Sequence, residues 1–175
     1  DRRRLKRQRP AHACDGRGGP GKVVIAGQFQ LMDFVGAKAA FFCGDTLLTY
    51  LRDEKPGLPW PGMWDLPGGG REGAESPEAC LLRELFEEFA LILAPQRLIW
   101  RRVWPSMMDA NRASVFFAGQ ITAAEVAAIR FGDEGQHWRM MPTAEFLAHP
   151  LGVPELQKRT AVACTELNWP AITTA

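Results

Sequence analysis

Residues 68–91 read Gly68-Gly-Gly-Arg-Glu-Gly-Ala-Glu75-Ser-Pro-Glu-Ala-Cys-Leu-Leu-Arg83-Glu84-Leu-Phe-Glu87-Glu88-Phe-Ala90-Leu91. Ser76-Pro77 marks a helix start, with Ser as the capping residue and Pro at the first helical position, where a missing N–H costs nothing. The spacing predicts a helix to about Phe89. Each helical residue advances about 100° around the axis, so Glu87 lies about 60° to one side of Glu84 and Glu88 about 40° to the other. Leu82, Leu85, Phe86 and Phe89 share the far side at the spacing of a buried stripe. One face is expected to be core and the opposite face a cluster of carboxylates. Like charges one turn apart repel. A hard divalent cation removes that repulsion, and several carboxylate oxygens with water suit Mg²⁺ or Mn²⁺ better than zinc. The preceding segment, Pro67–Gly70, is expected as a loop whose backbone approaches a ligand closely and offers a carbonyl or N–H. Arg83 can reach Glu87 one turn on and orient it. A solvated acidic helix face is the competing reading, and it leaves the glycine run and the Arg unexplained.

Outward from this stretch, Phe34–Cys43 and Leu47–Leu51 read as strands joined through Gly44-Asp45. Glu54–Gly62, with three Pro and two Gly, must be a loop. Leu98–Trp104, Ser114–Ile121 and His137–Met141 read as further strands, and Val23–Phe29 as a short one. Thr122-Ala-Ala-Glu125 has the capping-box spacing and predicts a helix through Ile129. Pro142–Ala148 and Glu155–Leu167 read as helices. Strands and helices mixed in this order predict an α/β layer fold.

The 175 residues, with 46% apolar and 23% charged, suit a globular domain with a real core. No apolar run approaches the roughly 20 residues of a membrane helix. Cys14, Cys43, Cys80 and Cys164 are scattered without a CxxC pair, so neither a disulfide framework nor a zinc site is expected, and reduced thiols point to the cytoplasm. The net charge of +1 hides an asymmetry: residues 1–22 hold eight Lys/Arg and two Asp, leaving 13 basic and 18 acidic residues in the rest. This Arg/Gly/Pro-rich arm has almost nothing apolar to bury, so disorder is its default. It reads either as a nucleic-acid or membrane-surface arm, or as a vector-derived or upstream extension with Met32 as a natural start, and the second reading is preferred. The expected organisation is an arm over 1–22, one domain over 23–168 and a tail over 169–175.

The series Gly69-x5-Glu75-x7-Arg83-Glu84-Leu85-x-Glu87-Glu88-x-Ala90-Leu91 resembles the Nudix box, the signature of the Nudix hydrolases (MutT-like). Every charged position matches. Ala90 stands where the pattern has Gly; if a positive φ is required there, Ala costs about 1 kcal/mol. The resemblance implies an α/β fold of the Nudix type, an α/β/α sandwich with a mixed β-sheet. It implies Mg²⁺-dependent hydrolysis of a nucleoside diphosphate linked to a further group X, by water attack on phosphorus. Carried over by position, it implies Glu84, Glu87 and Glu88 as metal ligands with the Gly68 carbonyl as a further candidate. Arg83 and Glu75 would orient the cluster, and Gly69 and Gly70 would lie against substrate. The general base would be a box Glu or a Glu from a later loop, for which Glu134 in Gly132-Asp-Glu-Gly135 is the candidate. An exposed turn residue is the alternative for Glu134.

Arg52 follows a strand that leads toward the site and is a candidate phosphate contact, with a surface Arg as the alternative. Trp60 and Trp64 flank the loop before the glycines and could stack a base, with core packing favoured for Trp64. His12, His137 and His149 show no ligand spacing, and Asp109 and Asn111 read as turn formers. Tyr50 is the only tyrosine, so the downstream Tyr associated with dinucleoside polyphosphate hydrolases is missing, and the coenzyme A hydrolase pattern is not evident. Pro105, fifteen residues after Ala90, lies near where ADP-ribose pyrophosphatases carry a Pro. The compact size resembles the nucleoside triphosphate pyrophosphohydrolases. The expected partner is therefore a nucleotide-type small molecule, a triphosphate first and ADP-ribose or a nucleotide sugar second, rather than a membrane or nucleic acid. A non-catalytic nucleotide-binding module is the rival of another class, and a homodimer is compatible with the sequence.

Overall fold

The computed structural model describes residues 33–169. The basic arm and the strand expected at Val23–Phe29 lie outside the described residues. Seven strands and four helices follow in the order β1 Phe34–Cys43, β2 Thr46–Leu51, β3 Trp64–Asp65, β4 Gly68–Gly70, α1 Pro77–Phe89, β5 Leu98–Pro105, β6 Ala113–Gln120, α2 Ala123–Ala128, β7 His137–Pro142, α3 Thr143–Ala148 and α4 Pro154–Glu166, with one 3₁₀ turn at Pro95–Arg97. The sheet runs β3-β2-β1-β6-β5, with β4 paired to β1 and β7 to β2. β1 and β6 are parallel and the other pairings antiparallel, so the sheet is mixed, as expected. The helix caps read from sequence are present. Ser76 Oγ accepts from the Ala79 N–H, and Thr122 and Glu125 exchange both bonds of a capping box.

β1 is buried on both faces because layers cover both. Ala37, Ala39 and Phe41 point to a core shared with Leu81, Leu85 and Phe89 of α1. Ala40 and Phe42 point to a second core shared with Phe146 of α3 and Leu156 and Ala163 of α4. In β6, Val115 and Phe117 join the first core, and Phe116 and Ala118 the second. The period of two thus assigns alternate residues of one strand to opposite layers. Trp169, read as the first tail residue, stacks on Phe42 with ring centroids 4.6 Å apart and donates its indole N–H to the Gly44 carbonyl.

Two expectations are corrected. The glycine run is a strand rather than a loop: β4 pairs with Gly36–Lys38 of β1. The buried arc of α1 is also rotated from the one read off the leucines. Cys80, Leu81, Leu85, Glu88 and Phe89 are buried, whereas Phe86 is 52% exposed. The sheet meets the helix along the arc that holds Glu84 and Glu88, so these carboxylates face protein rather than solvent. Burial tolerates this because β4 lacks side chains beneath them.

Ala90 ends α1 in the left-handed region at φ 54°, ψ 27°, its N–H bonded to the Phe86 carbonyl. An L-residue with a Cβ is strained there and glycine is not. Ala90→Gly is therefore expected to stabilise the protein by about 1 kcal/mol and raise the melting temperature by roughly 2–4 °C. A fall in melting temperature on calorimetry would contradict the strain.

Candidate active site

The site forms where α1 crosses the β4 strand. Gly68 sits at φ 120°, and a Cβ there would meet the Ala37 carbonyl oxygen at 2.2 Å. A Cβ on Gly69 would meet the Glu84 carboxyl carbon at 2.5 Å. Only glycine at both positions lets β1, β4 and the Glu84 carboxylate share this space. The Gly68 N–H donates to Glu88 Oε2 at 3.0 Å.

Arg83 ties the remaining acids together. Its Nε donates to Glu75 Oε1 at 2.7 Å, one terminal nitrogen to Glu84 Oε1 at 3.0 Å and Glu87 Oε2 at 2.9 Å, and the other to the Gly70 carbonyl at 2.9 Å. The bond from Arg83, with one from the Glu72 N–H, lowers the Glu75 carboxyl. Hydrogen bonding to Glu75 foremost raises the Arg83 guanidinium, so it stays charged. A planar guanidinium with donors in a fixed fork suits this bridging.

Burial raises Glu84, against the opposing effect of Arg83. Burial pushes Glu88 up to about 8, against the opposing charge of Lys38. Glu88 is 5% exposed. Desolvation favours the neutral acid unless a cation compensates, so this end of α1 is short of positive charge. Among the described residues no three Asp, Glu, His or Cys groups already converge as a metal cage: Arg83 holds Glu84 and Glu87, and Gly68 holds Glu88. The donor chemistry nonetheless fits a hard divalent cation, since it consists of carboxylate and backbone oxygens around two carboxylates whose charge burial disfavours.

Glu84, Glu87, Glu88, Asp133 and Glu134 line one cavity of about 140 Å³. The Gly132–Gly135 turn reaches it because its backbone is anchored at both ends. Gly132 N–H donates to the Glu88 carbonyl at 2.8 Å, Arg130 N–H to Phe89 at 3.1 Å, and Gln136 N–H to Leu51 at 2.8 Å. Phe131 packs on Phe89 and Tyr50. Glu134, singled out from sequence, is thus brought to Glu84, Glu87 and Glu88 of α1, the nearest of them 46 residues away in the chain. Asp133 was missed; its place in the same acidic turn was the available signal.

Arg52 borders an adjoining cavity of about 200 Å³ that Glu134 also lines, together with Tyr50 and Lys55. Its guanidinium is engaged 2.5 Å from Asp65 Oδ2 and 2.9 Å from the Pro59 carbonyl. Asp65 is 1% exposed. It also pairs with Lys38 at 2.9 Å and accepts from Tyr50 Oη at 3.2 Å and from the Leu66 N–H at 2.7 Å. Burial alone would raise this carboxyl, but Lys38 and Arg52 hold it below the ordinary range. Sequence reading missed Lys38 and Asp65, because strands β1, β2 and β3 must pair before the three charges meet.

Trp64 is buried in the second core against His137 and His149 and is not open to a base. Trp60 packs half-buried against the same core. Asp109 accepts from the Asn111 N–H, making the turn. Cys43, Cys80 and Cys164 are free thiols. No helix of the described residues is long and apolar enough to cross a membrane.

The sequence profile of the NUDIX domain matches residues 39–161. No curated protein sequence matches the chain. Among solved structures, the chain is similar to a MutT protein from Methanosarcina mazei at 17% identity and a TM-score of 0.62, covering 77% of this chain and 96% of that one. It is similar to an Ap4A hydrolase from C. elegans at 15% identity and a TM-score of 0.54, covering 75% and 98%. It is similar to the NUDIX domain of Shewanella oneidensis NrtR, crystallised with ADP ribose, at 23% identity and a TM-score of 0.50, covering 74% and 88%. At these identities the likenesses establish the fold. With the profile spanning well over half of its length, the chain belongs to the Nudix family, hydrolases that act on pyrophosphate bonds.

Proposed function

We propose that the chain is a Mg²⁺-dependent pyrophosphohydrolase that cleaves a nucleoside diphosphate linked to X, with nucleoside triphosphates as the first substrate class. The observation that carries this reading is the gathering of Glu84, Glu87, Glu88 and Glu134 around one cavity beside the glycine strand. A purely structural role for the α1 acids does not account for two carboxylates, Glu84 and Glu88, whose burial outweighs the Arg83 and Lys38 charges beside them. A non-catalytic module is disfavoured for the same reason.

In this reading Glu84, Glu87 and Glu88, with the Gly68 carbonyl, hold Mg²⁺, and Mn²⁺ suits the same oxygens. When bound, the cation neutralises phosphate charge and acidifies water. Arg83, held by Glu75, fixes the rotamers of Glu84 and Glu87. The attacking oxygen forms a bond to phosphorus, the bridging P–O bond breaks, and the products are a nucleotide and phospho-X. Glu134 lines the same cavity as Glu84 and is exposed, so in this reading it serves as the base that accepts the proton of the attacking water. Arg52 and Lys55 line the adjoining cavity, each already paired with an aspartate, and in this reading their remaining N–H donors are offered to the phosphate chain, while Gly69 and Gly70 let the substrate approach the backbone.

ADP-ribose or a nucleotide sugar is the second substrate reading. It is favoured by the likeness to the NUDIX domain bound to ADP ribose, and the likeness to the Ap4A hydrolase shows that the shared fold alone does not choose.

Three measurements test the proposal. A hydrolysis panel of oxidised and normal nucleoside triphosphates, ADP-ribose, nucleotide sugars and dinucleoside polyphosphates should give Mg²⁺-dependent turnover on at least one compound, highest on a triphosphate and abolished by EDTA. Silence across the panel would sink the enzymatic reading. Glu87→Gln and Glu88→Gln should each lower kcat by at least about 100-fold with circular dichroism unchanged, a loss of about 2.7 kcal/mol in transition-state stabilisation; near-normal turnover would remove these residues as ligands. Glu134→Gln should lower kcat by roughly 10²–10⁴-fold, the range for a lost general base. An unchanged rate would move that role to a carboxylate of α1.

A further inference from the structure

Gly69 and Gly70 line a third cavity, of about 170 Å³, walled by Met107, Met108, Ser114 and Arg159. Arg159 projects from α4 and is 3% exposed. One terminal nitrogen donates to Ser114 Oγ at 3.1 Å and the other to the Pro105 carbonyl at 2.7 Å. Its Nε–H is buried without an acceptor. The guanidinium carbon lies 5.5 Å from the centre of the Trp104 ring. Among the described residues it forms no ion pair. Glu155, one turn back on α4, acts on it only through space. Burial lowers the guanidinium to about 10, which leaves it charged at neutral pH.

The half-buried cations of β1 and just after β2 each have an anion. Lys38, which lines the same cavity, is paired with Asp65, and so is Arg52. An unpaired buried charge is unfavourable, and a guanidinium is shaped to receive a phosphate or carboxylate. Two neutral acceptors do not discharge it. Gly69 lines the cavity that touches Arg159 and also lies against the Glu84 carboxylate, so the two sites adjoin at one residue of β4. Met107 and Met108 supply an adaptable apolar wall.

We propose that this cavity is a substrate subsite whose specificity is set by Arg159, and that it receives an oxyanion, phosphoryl or carboxylate, on the part of the substrate remote from the scissile anhydride. Naming the ligand as substrate rests on the pyrophosphohydrolase reading; anion binding at Arg159 does not. Substrates that carry such a group are thereby preferred over those ending in a neutral moiety.

The test uses the full chain in EDTA, where the carboxylate site has no cation to attract an anion. Inorganic phosphate and acetate, titrated separately, should raise the melting temperature of the wild type with at least one of them, and the responding anion names the chemistry. Arg159→Met should abolish that response, while Lys158→Ala, at a neighbouring exposed cation, should keep it. Without added anion Arg159→Met should be at least as stable as the wild type, because an unpaired buried charge has been removed; a merely structural Arg159 would give a less stable variant with the anion response intact. Should Arg159→Met fail to fold, Met107→Trp fills the cavity and leaves Arg159 in place, and it should lose the response too. On an anion-bearing substrate, Arg159→Met should raise KM by about 10–100-fold with kcat nearly unchanged, the worth of a charge-assisted hydrogen bond. No anion response in the wild type, or an equal response in Arg159→Met and Met107→Trp, would overturn the subsite. An anion response without any hydrolysis would overturn the pyrophosphohydrolase reading and leave the subsite standing.

Discussion

The close approach of α1 to the β4 strand is the contact on which the rest depends. Two carboxylates, Glu84 and Glu88, lie against two residues without side chains, Gly69 and Gly68. Any Cβ on Gly69 would collide with the Glu84 carboxyl, and any on Gly68 with the backbone of β1. The glycines therefore do more than permit a turn. They let a helix carry acids on the face that packs against a sheet, which desolvates those acids and raises their affinity for protons and for cations alike. A site built this way keeps its charge deficit in the folded protein, ready for a cation, and the same burial makes it costly to leave uncompensated.

Arg83 is the counterpart of that deficit. It meets Glu75, Glu84, Glu87 and the Gly70 carbonyl together, so the helix, the loop before it and the glycine strand are held by one planar group. On the sheet side, the buried Asp65 performs a similar service for β1, β2 and β3 through Lys38, Arg52 and Tyr50. Removing one partner from such a buried cluster typically costs 3–5 kcal/mol, because the remaining charge is left without compensation. Electrostatic ties of this kind position the walls of the cavity, while the apolar cores on the two sheet faces supply the bulk of the stability.

Much of the chemistry was legible before folding. The spacing of Arg83, Glu84, Glu87 and Glu88 depends only on helical geometry, and Ser76-Pro77 sets where the helix begins. The left-handed turn at Ala90 was legible too, as a place where the chain departs from glycine. The buried arc of α1 was misread: counting apolar residues put Phe86 inside and Glu88 outside, whereas the sheet selects the arc that its own glycines can accommodate. The reading of Pro67–Gly70 as a loop failed for a related cause, since glycine is a poor strand former in isolation and pairs here because β1 presents a ready edge.

By itself the sequence determined the local facts: helix and strand positions, caps, the set of acids on α1, and the presence of an acidic turn at Gly132–Gly135. These follow from periodicity and turn chemistry, which act over a few residues. Only the tertiary structure decided which distant groups meet. It brought Glu134 and Asp133 to the α1 acids, set Lys38 and Arg52 on Asp65, and buried Arg159 beside the glycine strand without an anion. Such meetings depend on strand register and layer packing, which are fixed by burial summed over the whole domain rather than by any local run of residues.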